Sequence, residues 1–111
     1  MTPMVAATTL TEATRRLVEQ FAPRRVILFG SQARGLAHDR SDVDFLVLMD
    51  GATGRKRSLM LAMDRALSGL NIARDIVVLT PDEYERDRHI PGTVARPASL
   101  EGIVLYDAAA S

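Results

Sequence analysis

Two aspartates, Asp42 and Asp44, stand two positions apart in the segment Ser41-Asp42-Val43-Asp44-Phe45-Leu46-Val47-Leu48. In a strand, residues two apart leave the same face, so these carboxylates lie side by side while Val43, Phe45 and Val47 point the other way. Adjacent carboxylates repel unless a cation neutralises them, and oxygen-rich pairs suit hard cations such as Mg²⁺. Two such ions about 4 Å apart can stabilise both the attacking and the leaving oxygen of a phosphoryl transfer. An isolated Asp-x-Asp is a weak signal, because either acid could simply cap or solvate a strand end. Context strengthens it: Asp44 sits inside an apolar run, where an unpaired charge is costly to bury and a binding site is the better reason for it. Asp75 repeats the anomaly at the head of Ile76-Val77-Val78-Leu79. If its strand lies beside the one that carries Asp44, three carboxylates converge, and Asp42, Asp44 and Asp75 form a metal-binding and catalytic set.

A second candidate element lies upstream. Gly30-Ser31-Gln32-Ala33-Arg34-Gly35 directly follows the apolar run Val26-Ile27-Leu28-Phe29. Glycines there permit close backbone approach, and free N–H groups can cradle a phosphate. Ser31 could donate a hydrogen bond to the same phosphate. Arg34 could add a planar fork of donors, although a salt bridge to Asp39 or Asp42 would occupy it equally well. Alone, this loop is a weak signal too.

These residues need a scaffold. Thr9 followed by Glu12 is a capping-box pattern, and Leu10, Ala13, Leu17, Val18 and Phe21 recur at helical spacing until Pro23. The run Val26-Ile27-Leu28-Phe29 reads as a strand buried on both faces, and residues 42–49 as a second strand that ends in a turn at residues 50–54. Leu59, Met63, Ala66, Leu67 and Leu70 mark one face of a second helix. A third strand is expected at residues 75–79. Thr80, Pro81 and Glu83 combine a cap, a first-turn proline and a capping-box glutamate into a helix start. A short helix at residues 96–101, stopped by Gly102, leads to a last strand at 103–106, and the tail Ala108-Ala109-Ala110-Ser111 is expected to fray. This order predicts an α/β (α+β) fold in which helices flank a small mixed sheet.

Composition bounds the rest. At 111 residues, 47% of them hydrophobic and 25% charged, the chain is expected to form one domain over residues 1–111 with a core at about 9–106. Lys plus Arg and Asp plus Glu balance at 14 each, so no global field draws the protein to nucleic acid or to anionic lipid. The absence of cysteine removes disulfides, thiolate metal sites and cysteine nucleophiles. Neither a secretory leader nor a membrane span is legible, so the cytoplasm is the expected location.

The pattern GSQARG followed by SDVD resembles the signature of nucleotidyltransferases of the DNA polymerase beta superfamily. The ending, residues 92–106, is similar to that of the short stand-alone members, so the resemblance covers residues 25–106. In that family a Gly-Ser motif, two acids spaced Asp-x-Asp and a third acid on a later strand form the active site. The resemblance therefore assigns Gly30 and Ser31 to the first element, Asp42 and Asp44 to the second and Asp75 to the third, on a palm-like fold. It further implies Mg²⁺, two ions per site, ATP as substrate, and a minimal nucleotidyltransferase acting as antitoxin to a helical HEPN-type toxin, in some cases by transferring AMP to it.

Three functions compete at this point. The first is transfer of a nucleoside monophosphate to an acceptor hydroxyl, with Asp75 also serving as general base. The second is a module of the same fold that occludes a toxin without turnover, and the third is transfer to a small molecule or nucleic acid, which would need a partner subunit. Three acids favour the enzyme, since a pure binder need not keep buried charge. The acceptor, the base preference and the oligomeric state, a homo-oligomer included, stay open. His38 and His89 lack ligand-like spacing, though His38 could touch a nucleotide. Arg55, Lys56 and Arg57 read as a solvated helix start, and Tyr84 and Tyr106 could stack a base.

Overall fold

Leu10, Ala13, Thr14 and Leu17, spaced to share one helical face, build α1 (Ala7–Phe21) and bury that face against the sheet. The computed structural model describes residues 7–30 and 43–110. Because α1 already runs at Ala7, Thr9 lies within its first turn and the capping box expected there does not form. Glu12 instead accepts hydrogen bonds from Arg15 at 2.6 Å and Arg16 at 2.9 Å, and Arg15 also reaches Glu19 at 2.7 Å. The hydrogen bonds from Arg15 and then Arg16 hold the Glu12 carboxyl down at about 2. Ala22, in the left-handed region at φ 50°, ends the helix ahead of Pro23.

Four strands follow: β1 (Arg25–Phe29), β2 (Val43–Leu48), β3 (Arg74–Leu79) and β4 (Ile103–Asp107). They form one sheet in the order β3-β2-β1-β4, with β2 and β3 parallel and β1 antiparallel to both β2 and β4. The parallel pair requires a crossover, supplied by α2 (Lys56–Ala66). Helix α3 (Pro81–Asp87) and helix α4 (Ala95–Glu101) lie between β3 and β4 in the chain.

Alternate residues of the central strands enter two cores. Val26, Leu28, Val43, Phe45 and Val47 pack with Ala13 and Leu17 of α1 and with Leu59 and Met63 of α2. On the other face, Ile27, Leu46 and Leu48 pack with Tyr84 of α3 and with Ala95 and Ala98 of α4. Burial on both sides is why these strands are near-continuous apolar runs. At Gly102 a Cβ would collide with the Ala98 carbonyl oxygen and approach Ile27 Cγ2 to 2.7 Å, so only glycine lets the chain pass this closely from α4 into β4.

Helix α2 ends sooner than its apolar stripe suggests. Leu67 and Leu70 fall in the turns after Ala66, yet Leu67 remains fully buried because those turns hold it against the core. Arg16 of α1 binds the helix's carbonyl end, donating to Ala66 O at 3.2 Å and Ser68 O at 2.9 Å. The tail does not fray over the described residues: Ala108–Ala110 forms a 3₁₀ turn in which Asp107 accepts from the Ala109 N–H at 2.9 Å. Among the described residues, no helix is long and apolar enough to cross a membrane.

Candidate active site

The register of the sheet decides which of the candidate acids meet. In the parallel pair β2/β3, Asp44 is the direct partner of Asp75, and in the antiparallel pair β1/β2, Phe29 is the direct partner of Asp44. Partners across a ladder share a face, so Asp75, Asp44 and Phe29 form one row across three strands, with neighbouring strands about 4.8 Å apart. That row stands on the same face as Leu46 and Leu48, where α3 and α4 pack, at the end of the sheet where β2 and β3 begin and β1 finishes. Asp44 and Phe29 are half-buried and Asp75 is exposed. The convergence expected if the two strands were neighbours is thus realised for these two carboxylates.

Two features fix this end of the sheet. The Val43 N–H donates to Ala73 O at 2.8 Å, extending the β2/β3 ladder past Asp44. Arg74, next to Asp75, points to the opposite face, where its guanidinium pairs with Asp64 of α2 at 3.0 Å, donates to the Asp64 carbonyl at 2.8 Å and donates to Ile72 O at 3.1 Å. Arg74 is therefore engaged elsewhere, and Asp75 makes no ion pair with any described residue. Neither Phe29 nor Arg74 was a candidate from sequence. Phe29 could have been found from its position immediately before Gly30, whereas nothing local signals the Arg74–Asp64 pair.

Gly30 follows Phe29 with φ +79°, and its Cα faces the Asp44 side chain: a Cβ built there would collide with Asp44 Oδ2 and stand 3.2 Å from Cγ. The glycine turn and the acid row are in direct contact. Ser31, Arg34, Asp42 and His38 lie outside the described residues.

Two carboxylates in adjacent register, one of them open to solvent, make an oxygen donor set of the kind that hard divalent cations take. No third acid or histidine joins them among the described residues. The other candidates fall away from the row. Tyr84 is only 4% exposed inside the second core, so it offers no ring to a base. Tyr106 pairs with Val26 and packs on the α1/α2 side, opposite the acids. His89 is exposed. In the basic triplet Arg55 and Arg57 are exposed, while Lys56 binds Glu83 at 2.6 Å.

The sheet is mixed and four-stranded, with helices on both faces, and it presents two acids at the start of neighbouring strands beside a glycine turn. Residues 10–101 match the family model described as "Nucleotidyltransferase domain", and the chain belongs to that family. Among solved structures, it is similar to a Sulfolobus solfataricus protein assigned as a nucleotidyltransferase, at 22% identity and a TM-score of 0.65, covering 92% of this chain and 80% of that one. It is also similar to a chain of a toxin-antitoxin structure determined with AMP-PNP, at 19% identity and a TM-score of 0.52, covering 87% of this chain and 73% of that one. At these identities the likeness is one of fold. No curated protein matches the chain.

Proposed function

We propose that this nucleotidyltransferase moves a nucleoside monophosphate, AMP from ATP, onto a hydroxyl of a protein partner, and that the partner is a helical HEPN-type toxin for which the chain is the antitoxin. The observation that carries the proposal is the direct register of Asp44 and Asp75 on one open face, with the Gly30 backbone against Asp44. The toxin-antitoxin neighbour that was determined with AMP-PNP supports the choice of nucleotide and of partner. We further take residues 1–111 as one domain that acts in the cytoplasm, where ATP is at hand.

In this reading Asp42, Asp44 and Asp75 hold the metal, while Gly30, Ser31 and Arg34 hold the triphosphate. Mg²⁺, as two ions, would be held by these acids and would supply positive charge to the phosphate oxygens of the nucleotide. The acceptor oxygen forms a bond to the α-phosphorus as the bond from that phosphorus to the bridging oxygen breaks, and pyrophosphate departs. Asp75, the more exposed of the two described acids, takes the acceptor's proton. Asp44, half-buried and held between Phe29 and Asp75, keeps a fixed carboxylate in the row.

The test is transfer itself. The protein, co-expressed with the product of the adjoining gene, is incubated with ATP labelled at the α-phosphate and Mg²⁺. Label is expected on the partner, and none with the Asp44→Asn variant. A partner that stays bound yet gains no label would sink the enzymatic proposal and promote simple occlusion.

A further inference from the structure

The contact between Gly30 and Asp44 goes further than a phosphate cradle. Glycine after a strand is ordinarily explained by what must approach it from outside, and for a nucleotide site that visitor is a phosphate. Here the space beside the Gly30 Cα is already filled by part of the chain itself. A Cβ there would overlap Asp44 Oδ2, stand 3.2 Å from Cγ and stand 3.6 Å from Asp44 Cβ, so one oxygen of the carboxylate sits where a side chain would be.

The other glycines in left-handed backbone show the difference. Gly51, Gly54, Gly69 and Gly92 have φ between +71° and +90°, yet a Cβ at any of them meets nothing within 4 Å. They satisfy backbone conformation alone. Gly30 satisfies conformation and also vacates the seat of a carboxylate.

We infer that Gly30 is a positioning residue for Asp44: its missing side chain is the volume that the Asp44 carboxylate occupies, and it thereby fixes where that oxygen donor stands relative to Asp75. The inference rests on the proposed metal role of the acids only for its functional consequence. Its steric part stands on the structure alone. Asp44 has one short side chain with two torsions, and its neighbours in the row, Phe29 and Asp75, flank it on either side. A methyl group at position 30 therefore forces the carboxylate to turn away from its place. A donor displaced by about half an ångström or more loses the geometry that a metal ligand needs.

A double-mutant cycle with a metal titration separates this from the phosphate explanation. Melting temperatures are measured for Gly30→Ala in the wild-type and Asp44→Ala backgrounds, with Gly51→Ala as the reference for backbone strain without a collision. Gly30→Ala is expected to lower Tm more than Gly51→Ala does, and that drop should shrink by half or more once Asp44 is truncated. Mn²⁺ binding by the folded proteins, with no nucleotide present, is followed by paramagnetic resonance. Gly30→Ala should weaken it tenfold or more while Gly51→Ala leaves it unchanged.

An equal Tm drop for Gly30→Ala in both backgrounds would overturn the inference. So would unaltered Mn²⁺ affinity in Gly30→Ala with only ATP binding impaired, since that is the signature of phosphate approach. If the wild type binds no Mn²⁺ but the Tm coupling is present, the metal proposal fails and the positioning of Asp44 by Gly30 stands.

Discussion

Asp44 and Asp75 are direct partners across a parallel ladder, and Asp75 makes no ion pair with any described residue. Carboxylates in neighbouring register repel one another as a rule, and a bound cation would relieve that repulsion. Replacing exposed Asp75 with Asn removes one charge and keeps the shape, so the Asp75→Asn protein is expected to melt at or above the wild-type temperature without metal. Asp44→Asn should retain the fold and lose transfer by at least about a hundredfold, the scale of removing one preorganised electrostatic group from a transition state. Circular-dichroism melts beside a radiolabel assay measure both, and near-wild-type turnover in Asp44→Asn would remove that acid from the site. The Asp-x-Asp spacing and the apolar setting of Asp44 were legible in the sequence because alternation is a local property of a strand. The pairing of Asp44 with Asp75 was not, since register between strands joined through a helix is set by packing across 31 positions, from 44 to 75. The same holds for Gly30, whose neighbour in space is a side chain 14 positions on, at residue 44.

Two Thr-x-x-Glu patterns, Thr9/Glu12 and Thr80/Glu83, look alike as text and behave differently as helix starts. At Thr80 the box is complete: its hydroxyl accepts from the Glu83 N–H at 3.1 Å, and Glu83 accepts from the Thr80 N–H at 2.8 Å. Pro81 fixes the start at Thr80, because a proline at the first position forbids the helix from extending backwards, whereas Ala7 and Thr8 already lie in α1 ahead of Thr9. Glu83 also accepts from Lys56 at the start of α2, so one carboxylate ties two helices together, and the Lys56 hydrogen bond, then the Thr80 backbone, hold its pKa below the usual value of 4.5. Thr80→Ala should cost about 1 kcal/mol, a shift of a few degrees in a domain of this size. For the carboxylate the sign follows from the lowered folded-state pKa: its contribution is present above the unfolded value of 4.5 and is lost as pH falls below that value. The Glu83→Gln protein should therefore lose stability at neutral pH and show a flatter decline than the wild type below about pH 4.5. Urea titrations at pH 7 and pH 3 check this, and a difference between the two proteins that is equal at both pH values would refute the linkage.

Among the described residues, many charges are compensated close to where they arise. The net charge is zero, and many of the basic side chains answer to acids nearby: Arg24 to Asp50, Arg25 to Asp107, Lys56 to Glu83, Arg74 to Asp64, Arg86 to Asp87. Exposed pairs of this kind stabilise little, and with the net charge at zero no global field draws in a phosphate backbone. Nucleic-acid binding without sequence preference depends on such potential, because its affinity comes from releasing the counterions of the phosphates. Zero net charge gives a DNA or RNA acceptor no global attraction, and the acceptor proposed above is a protein. With an RNA, a DNA duplex and the co-expressed partner all present at about 0.15 M salt, α-labelled ATP should leave its label on the protein band alone. Anisotropy with the same nucleic acids should show binding weaker than the roughly 10⁻⁴ to 10⁻⁶ M typical of non-specific binders. Label on the RNA or DNA would overturn the choice of a protein acceptor and leave the transferase proposal standing, because the acceptor and the proposed nucleotide site at Asp44, Asp75 and Gly30 are separate claims.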